Sequence, residues 1–126
     1  KFPQAKAARS FEEILDQPDI KLVAAAAVPS ERGAIGCRVM EAGKDYFTDK
    51  TPFTAFDQLE RARKVADQTK RKYMVYFSER LHVESAMYAG DLIADGVIGK
   101  VIQVIGLGPH RLNKPSRPAL YVETAR

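Results

Sequence analysis

No Gly-x-Gly-x-x-Gly occurs among the eight glycines of this 126-residue chain, so the usual sequence mark of a phosphate cradle is missing. The single cysteine, Cys37, excludes an internal disulfide and lends no support to a zinc site, which makes a reducing cytoplasm the default expectation. The longest apolar run, Leu22 to Val28, is far short of the ~20 residues that cross a bilayer, and no charged segment leads into an apolar stretch near Lys1. Membrane and secretion readings are set aside on those grounds. Repeats, low-complexity segments and obvious flexible linkers are also missing. The net charge of +4 has no basic run interleaved with aromatics behind it. Lys70-Arg71-Lys72 falls at an expected helix end, where cations suit the helix dipole, and Arg111, Lys114 and Arg117 sit among prolines, so no nucleic-acid partner is expected.

What is present is a globular composition, 45% hydrophobic and 29% charged, of a length for one domain or one domain and the start of another. Ser10 and Glu13 form a capping box that predicts a short helix from about Phe11 to Asp16. Leu22–Val28 reads as a strand covered on both faces, although its four alanines would also suit a helix; Pro29 and the short length favour strand. A helix is expected from about Ser30 to Ala42, stopped by Gly43, then a strand from Asp45 to Asp49. Thr54–Asp57 looks like a cap. Ala55, Leu59, Ala62 and Ala66 then repeat at helical spacing to about Lys70. A strand over Tyr73–Ser78, a helix over Val83–Asp95 and a strand over Val101–Leu107 complete an αβαβαβαβ order.

Such alternation predicts right-handed crossovers, a parallel sheet and helices on its faces. The loops after the strands then share one edge, which gathers Pro29-Ser30, Asp49-Lys50 and Ser78–Arg80. Parallel sheets bind ligands at that edge, so a carboxylate and an amine side by side at a strand's end form the best functional clue in the chain. Bland readings stand beside it. Lys50 at a strand end can be a solvated cation, Asp49 a partner of Lys50 or a loop cap, and Arg80 an ion-pair partner of Glu79 or Glu84. Cys37, on a helix among apolar residues, is expected in the core.

Taken in order, the motifs resemble the glucose–fructose oxidoreductase and inositol dehydrogenase (Gfo/Idh/MocA) family. They are the apolar strand with Val28-Pro29, Glu41-Ala42-Gly43-Lys44, Asp49-Lys50-Thr51-Pro52, Phe77-x-x-Arg80, Ile93-Ala94-Asp95-Gly96-x-Ile98-Gly99-Lys100-Val101, and His110-Arg111. The resemblance runs to about Pro118 and implies an NAD- or NADP-dependent oxidoreductase of sugars, polyols or related carbonyl compounds. It implies that Lys50, matching the Lys of Glu-Lys-Pro, is catalytic, hydrogen-bonding the substrate hydroxyl and assisting proton movement. Asp49 replaces the Glu and would contact the nicotinamide ribose or orient Lys50. By the same match Pro29 and Arg80 would line the cofactor cleft, and His110 would contact substrate.

The fold implied is an incomplete Rossmann-like parallel sheet with helices on both faces, plus the first strand of a second α+β domain. Residues 1–82 would be the later part of the dinucleotide-binding domain, and 83–126 a linking helix and the start of a substrate and oligomerisation domain. At least one βαβ unit is expected before Lys1, and a homo-oligomer is expected because open sheet edges invite pairing. Two departures support an alternative, a non-catalytic or regulatory relative: Gly33 stands where the family carries His, and Thr51 is inserted before Pro52. An ordinary flavodoxin-like binding domain is a third reading.

Overall fold

The structure, a computed structural model, describes residues 2–107, Arg80 by its backbone alone. The chain divides into two compact units between Tyr76 and Phe77. The first unit contains α1 (Phe11–Leu15), β1 (Leu22–Ala25), α2 (Pro29–Glu41), β2 (Asp45–Asp49), α3 (Phe56–Thr69) and β3 (Tyr73–Tyr76). The second contains α4 (Ser78–His82) and α5 (Glu84–Ala94).

The three strands form a parallel sheet in the order β1-β2-β3, with Val23, Tyr46 and Tyr73 in register. This α/β architecture is that of a partial Rossmann-like domain. The strand order advances in one direction, so right-handed crossovers carry the helices to the same side. Burial agrees. Val23, Tyr46 and Val39 pack with Phe11, Ile14 and Leu15 of α1, while Cys37 and Met40 of α2 meet Ala62 and Val65 of α3 against Tyr73. Within this unit, then, the expectation of helices on both faces is met on one. The opposite face carries Leu22, Ala24, Phe47, Asp49, Met74 and Tyr76, none of them fully buried.

Local chemistry explains the element ends. Ser10 Oγ accepts the Glu13 amide at 3.1 Å, and Glu13 Oε2 accepts the Arg9 amide at 2.8 Å. Gly43 closes α2 at φ +75°, donating to the Met40 carbonyl while Lys44 donates to Val39, the paired bonds of a Schellman motif. The same pair of bonds, Gly96 to Ile93 and Val97 to Leu92, closes α5. Thr54 is not the cap of α3. Ala55 holds that position, and the Gln58 side chain accepts the Thr54 amide at 2.9 Å instead.

Both flanking strands are shorter than expected because a strand persists only where a neighbour takes its hydrogen bonds. Pairing with β2 ends at Ala25 on one side and at Tyr76 on the other, so Ala26–Val28 and Phe77 leave the ladder. The expected helix over Val83–Asp95 is α5 preceded by the separate α4, with Val83 between them in an extended conformation. The expected strand over Val101–Leu107 is not formed among the described residues. It has no ladder partner there, and Ile102 and Leu107 are 92% and 91% exposed.

Tyr46 is fully buried, and its hydroxyl makes no hydrogen bond among the described residues. Thr48 offsets the burial only in part, and its hydroxyl donates its own hydrogen to the Ala25 carbonyl at 3.0 Å. Burial pushes the Tyr46 phenol above its ordinary value of 10.0. The folded state then holds that proton more tightly than the unfolded chain, so this stabilisation is complete below pH 10 and lost as pH rises beyond it. Tyr46→Phe is expected to stabilise the protein by about 1 kcal/mol in urea unfolding and to lessen its alkaline sensitivity. A loss of stability of that size would mean the hydroxyl has a partner.

Candidate functional site

Asp49 ends the middle strand and Lys50 follows it, at the carboxyl edge of the sheet. Along a strand side chains alternate, which puts Asp49 with Phe47 on the face that carries no helix of this unit. There Ala24, Ala25, Ala26, Phe47, Asp49 and Tyr76 line an open depression of about 250 Å³. The Phe47 and Tyr76 rings meet at 5.8 Å and 45°. Two other depressions lie elsewhere. One of about 310 Å³ is bordered by Phe53, Phe56 and Leu59, and one of about 680 Å³ lies beside Lys6, Glu13 and Asp19, near the amino end of β1. Neither contains the strand-end pair.

The backbone after β2 is held from within. Arg32, 7% exposed, donates from Nε to the Ala27 carbonyl at 2.6 Å. Its Nη1 donates to the carbonyls of Asp49 at 3.0 Å, Thr51 at 3.2 Å, and Lys50. One guanidinium therefore ties the loop after β1 to the loop after β2. A buried cation surrounded by carbonyl oxygens keeps the solvation that burial would otherwise remove. Tyr73 contributes from the next strand, its hydroxyl within 3.2 Å of the Arg32 carbonyl and 3.4 Å of the Pro52 carbonyl. Burial drives the Tyr73 phenol far above its ordinary value, with Arg32 offsetting only part, so it serves as a donor and not as a base. All four carbonyls from Asp49 to Pro52 are thus within reach of Arg32 or Tyr73. On the outer side the Asp49 carboxylate accepts the Lys50 amide at 2.9 Å, and Lys50 is exposed.

Of the residues singled out from sequence, Asp49 and Lys50 are adjacent at this edge and Asp49 lines the depression. Pro29 is the first residue of α2, a position proline favours for its fixed φ, and it does not border the depression. Arg80 falls in α4 of the second unit, its side chain outside the description, and His110 lies outside the described residues. Beside Gly33, where a Cβ would sit, the Phe53 ring and the Gln58 stem come within 3.2 Å, so a larger side chain there would have to displace them. Cys37 is buried as expected, and burial pushes its thiol up.

Arg32 and Tyr73 were not among the residues the sequence pointed to. A signal for Arg32 existed: a cation in the first turn of a helix faces the positive end of the dipole and needs a compensating reason to be there. Among the described residues, no group of three His, Cys, Asp or Glu could hold a metal ion, and no helix is long and apolar enough to cross a membrane.

No protein-family model and no curated protein sequence matches the chain. Solved structures do. A protein from Erwinia carotovora atroseptica SCRI1043, provisionally described as an oxidoreductase, is 43% identical with a TM-score of 0.86 over 93% of this chain and 35% of its own. Levoglucosan dehydrogenase, solved with NADH and levoglucosan, is 24% identical with a TM-score of 0.66 over 74% of this chain and 25% of its own. The myo-inositol 2-dehydrogenase of Lactobacillus plantarum is 22% identical with a TM-score of 0.64 over 75% and 28%. The last two likenesses establish the fold alone. The chain spans about a third of the length of the Erwinia protein and less of the other two.

Proposed function

We propose that this chain is part of an NAD- or NADP-dependent oxidoreductase of the Gfo/Idh/MocA type, acting on a sugar, polyol or related hydroxy or carbonyl compound. The observation that carries the reading is the placement of Lys50 at the carboxyl end of the middle strand, on a backbone segment fixed by Arg32 and Tyr73. The likeness to nicotinamide-binding oxidoreductases supports it. In this reading residues 1–82 belong to the dinucleotide domain, and residues 83–126 lead into a substrate domain that also supports self-association. Such an enzyme, with one buried thiol, suits a reducing cytoplasm.

The depression suits the cofactor's flat ring and ribose. Three small alanine residues line it, aromatic rings flank it, and a half-buried carboxylate stands at its edge to accept from ribose hydroxyls. Ala24–Ala26 and Asp49 would hold that part of the molecule; the family match adds Pro29 and Arg80 as cofactor contacts and His110 as a substrate contact. A bound nicotinamide supplies the acceptor or donor of a hydride. The chain's own task is the proton. Lys50 as an amine accepts it from the substrate hydroxyl during oxidation, and as an ammonium returns it to the carbonyl oxygen during reduction. Asp49 keeps the backbone of residue 50 oriented through its accepted amide.

A second reading, a non-catalytic relative that binds the cofactor, draws on the crowding beside Gly33 and on Thr51 between Lys50 and Pro52. Titrating the full-length protein with NADH and NADPH, followed by nicotinamide fluorescence, and then assaying turnover on sugars and polyols, separates the readings. Binding with turnover is the expected result. Binding with no turnover supports the second reading, and no binding of either nucleotide sinks both.

A further inference from the structure

We infer that Arg32 is the positioning residue of the Lys50 site, an inference that rests on the role proposed for Lys50. The evidence is geometric. Arg32 is buried in the first turn of α2, a place where the dipole disfavours a cation, yet its guanidinium has four backbone carbonyls as partners. Three of those belong to Asp49, Lys50 and Thr51, and the fourth, Ala27, belongs to the loop after the neighbouring strand. The Asp49 and Lys50 carbonyls belong to the two peptide planes that flank the Lys50 Cα, and both are held inward. The residue whose side chain acts on substrate is therefore oriented by its own main chain.

The arrangement needs a guanidinium. Its nitrogens form a rigid planar fork, so Nε can serve one loop while Nη1 serves the other. An ammonium presents all its donors from one point and can serve one loop or the other. The Arg32 carbonyl also accepts from the Tyr73 hydroxyl, which in turn lies within reach of Pro52. The same residue thus contributes through both its side chain and its main chain, and the whole Asp49–Pro52 segment is referenced to α2 and β3. Positional error of about 1 Å in an acid–base group can cost on the order of 100-fold in rate without altering ground-state binding.

The test uses the full-length protein and its Arg32→Lys, Arg32→Met and Lys50→Met variants. For Arg32→Lys the expected result is a kcat about 10- to 100-fold lower. The KM for substrate and the Kd for NADH should change less than about threefold, a split that general loosening of the fold would not give. Hydrogen exchange should quicken at the amides of Asp49, Lys50, Thr51 and Phe53 and stay unchanged in α2 and β3. Arg32→Met should show a larger loss with the same split. In the wild-type protein, the Arg32 Nε–H should be protected from exchange with solvent, a measurement that needs no variant and decides the matter if both substitutions prevent folding. Unchanged kcat and unchanged exchange at those amides in both Arg32 variants, or an unprotected Nε–H, overturns the inference. If Lys50→Met is itself fully active, the functional reading has failed instead.

Discussion

Lys50→Met is expected to lower kcat by about 10²- to 10⁴-fold while leaving the affinity for NADH within about threefold of wild type. Methionine keeps the length and apolar stem of lysine and removes the amine, so the variant isolates proton transfer from packing. The backbone at residue 50 has its own support, since the carbonyls on either side are bonded to Arg32. The fold should not depend on the amine. Lys50→Arg keeps the charge but spreads it over a larger planar group that gives up its proton far less readily, and it should recover little. An unchanged kcat for Lys50→Met on the best substrate would remove the basis of the proposed chemistry.

Gly36→Ala should be the most damaging small substitution in the first unit. A Cβ at residue 36 would lie 2.3 Å from a ring carbon of Tyr73 and 2.7 and 2.8 Å from two of Tyr46. The rings have nowhere to retreat. They already meet edge to face at 5.0 Å and 71°, Tyr46 is fully enclosed, and the Tyr73 hydroxyl is tied to the carbonyls of Arg32 and Pro52. Alanine is better than glycine in a helix by up to about 1 kcal/mol, but overpacking of this severity costs about 3 kcal/mol or more. The variant should therefore unfold at markedly lower temperature, and whatever remains folded should turn over slowly, because pushing Tyr73 aside loosens Pro52. A thermal midpoint equal to wild type would show that α2 can slide away from the sheet and that this packing is not tight.

Much of this was legible in the residues themselves. Ser10 with Glu13, Gly43 as a helix stop and the bounds of β2 at Asp45 and Asp49 follow from local rules, and the structure carries them at those places. The lengths of β1 and β3 were not legible, since each is set by the reach of β2 and not by its own apolar run. The helix expected from Val83 corresponds closely to α5, whereas the short α4 before it was not legible, because Ser78–Arg80 read as a strand end and loop. At the candidate site Asp49 and Lys50 could be found because strand ends are predictable. The groups that hold them could not, because the bonds from Arg32 span 17 to 19 residues and those from Tyr73 span 41 and 21. A cation in the first turn of α2 does mark Arg32 as needing compensation, but which carbonyls supply it is fixed only once the chain has folded back on it.

Both ends of the middle strand are anchored by cations that chose neutral partners. At its start the Lys44 amine bonds the carbonyls of Gln17 at 2.6 Å and Ile20 at 3.1 Å, as Arg32 does with its own set at the far end. A carbonyl does not titrate, and an interior contact is poorly screened by dissolved ions. The surface clip between Arg38 and Glu12, at 2.5 Å, behaves oppositely: the Arg38 hydrogen bond holds the Glu12 carboxyl below its ordinary 4.5, so the clip is present above that pH and releases as acid protonates it. Brine, or acid below pH 4.5, should thus open that clip and leave the apolar seating of the first helix and the framework around residue 50 in place.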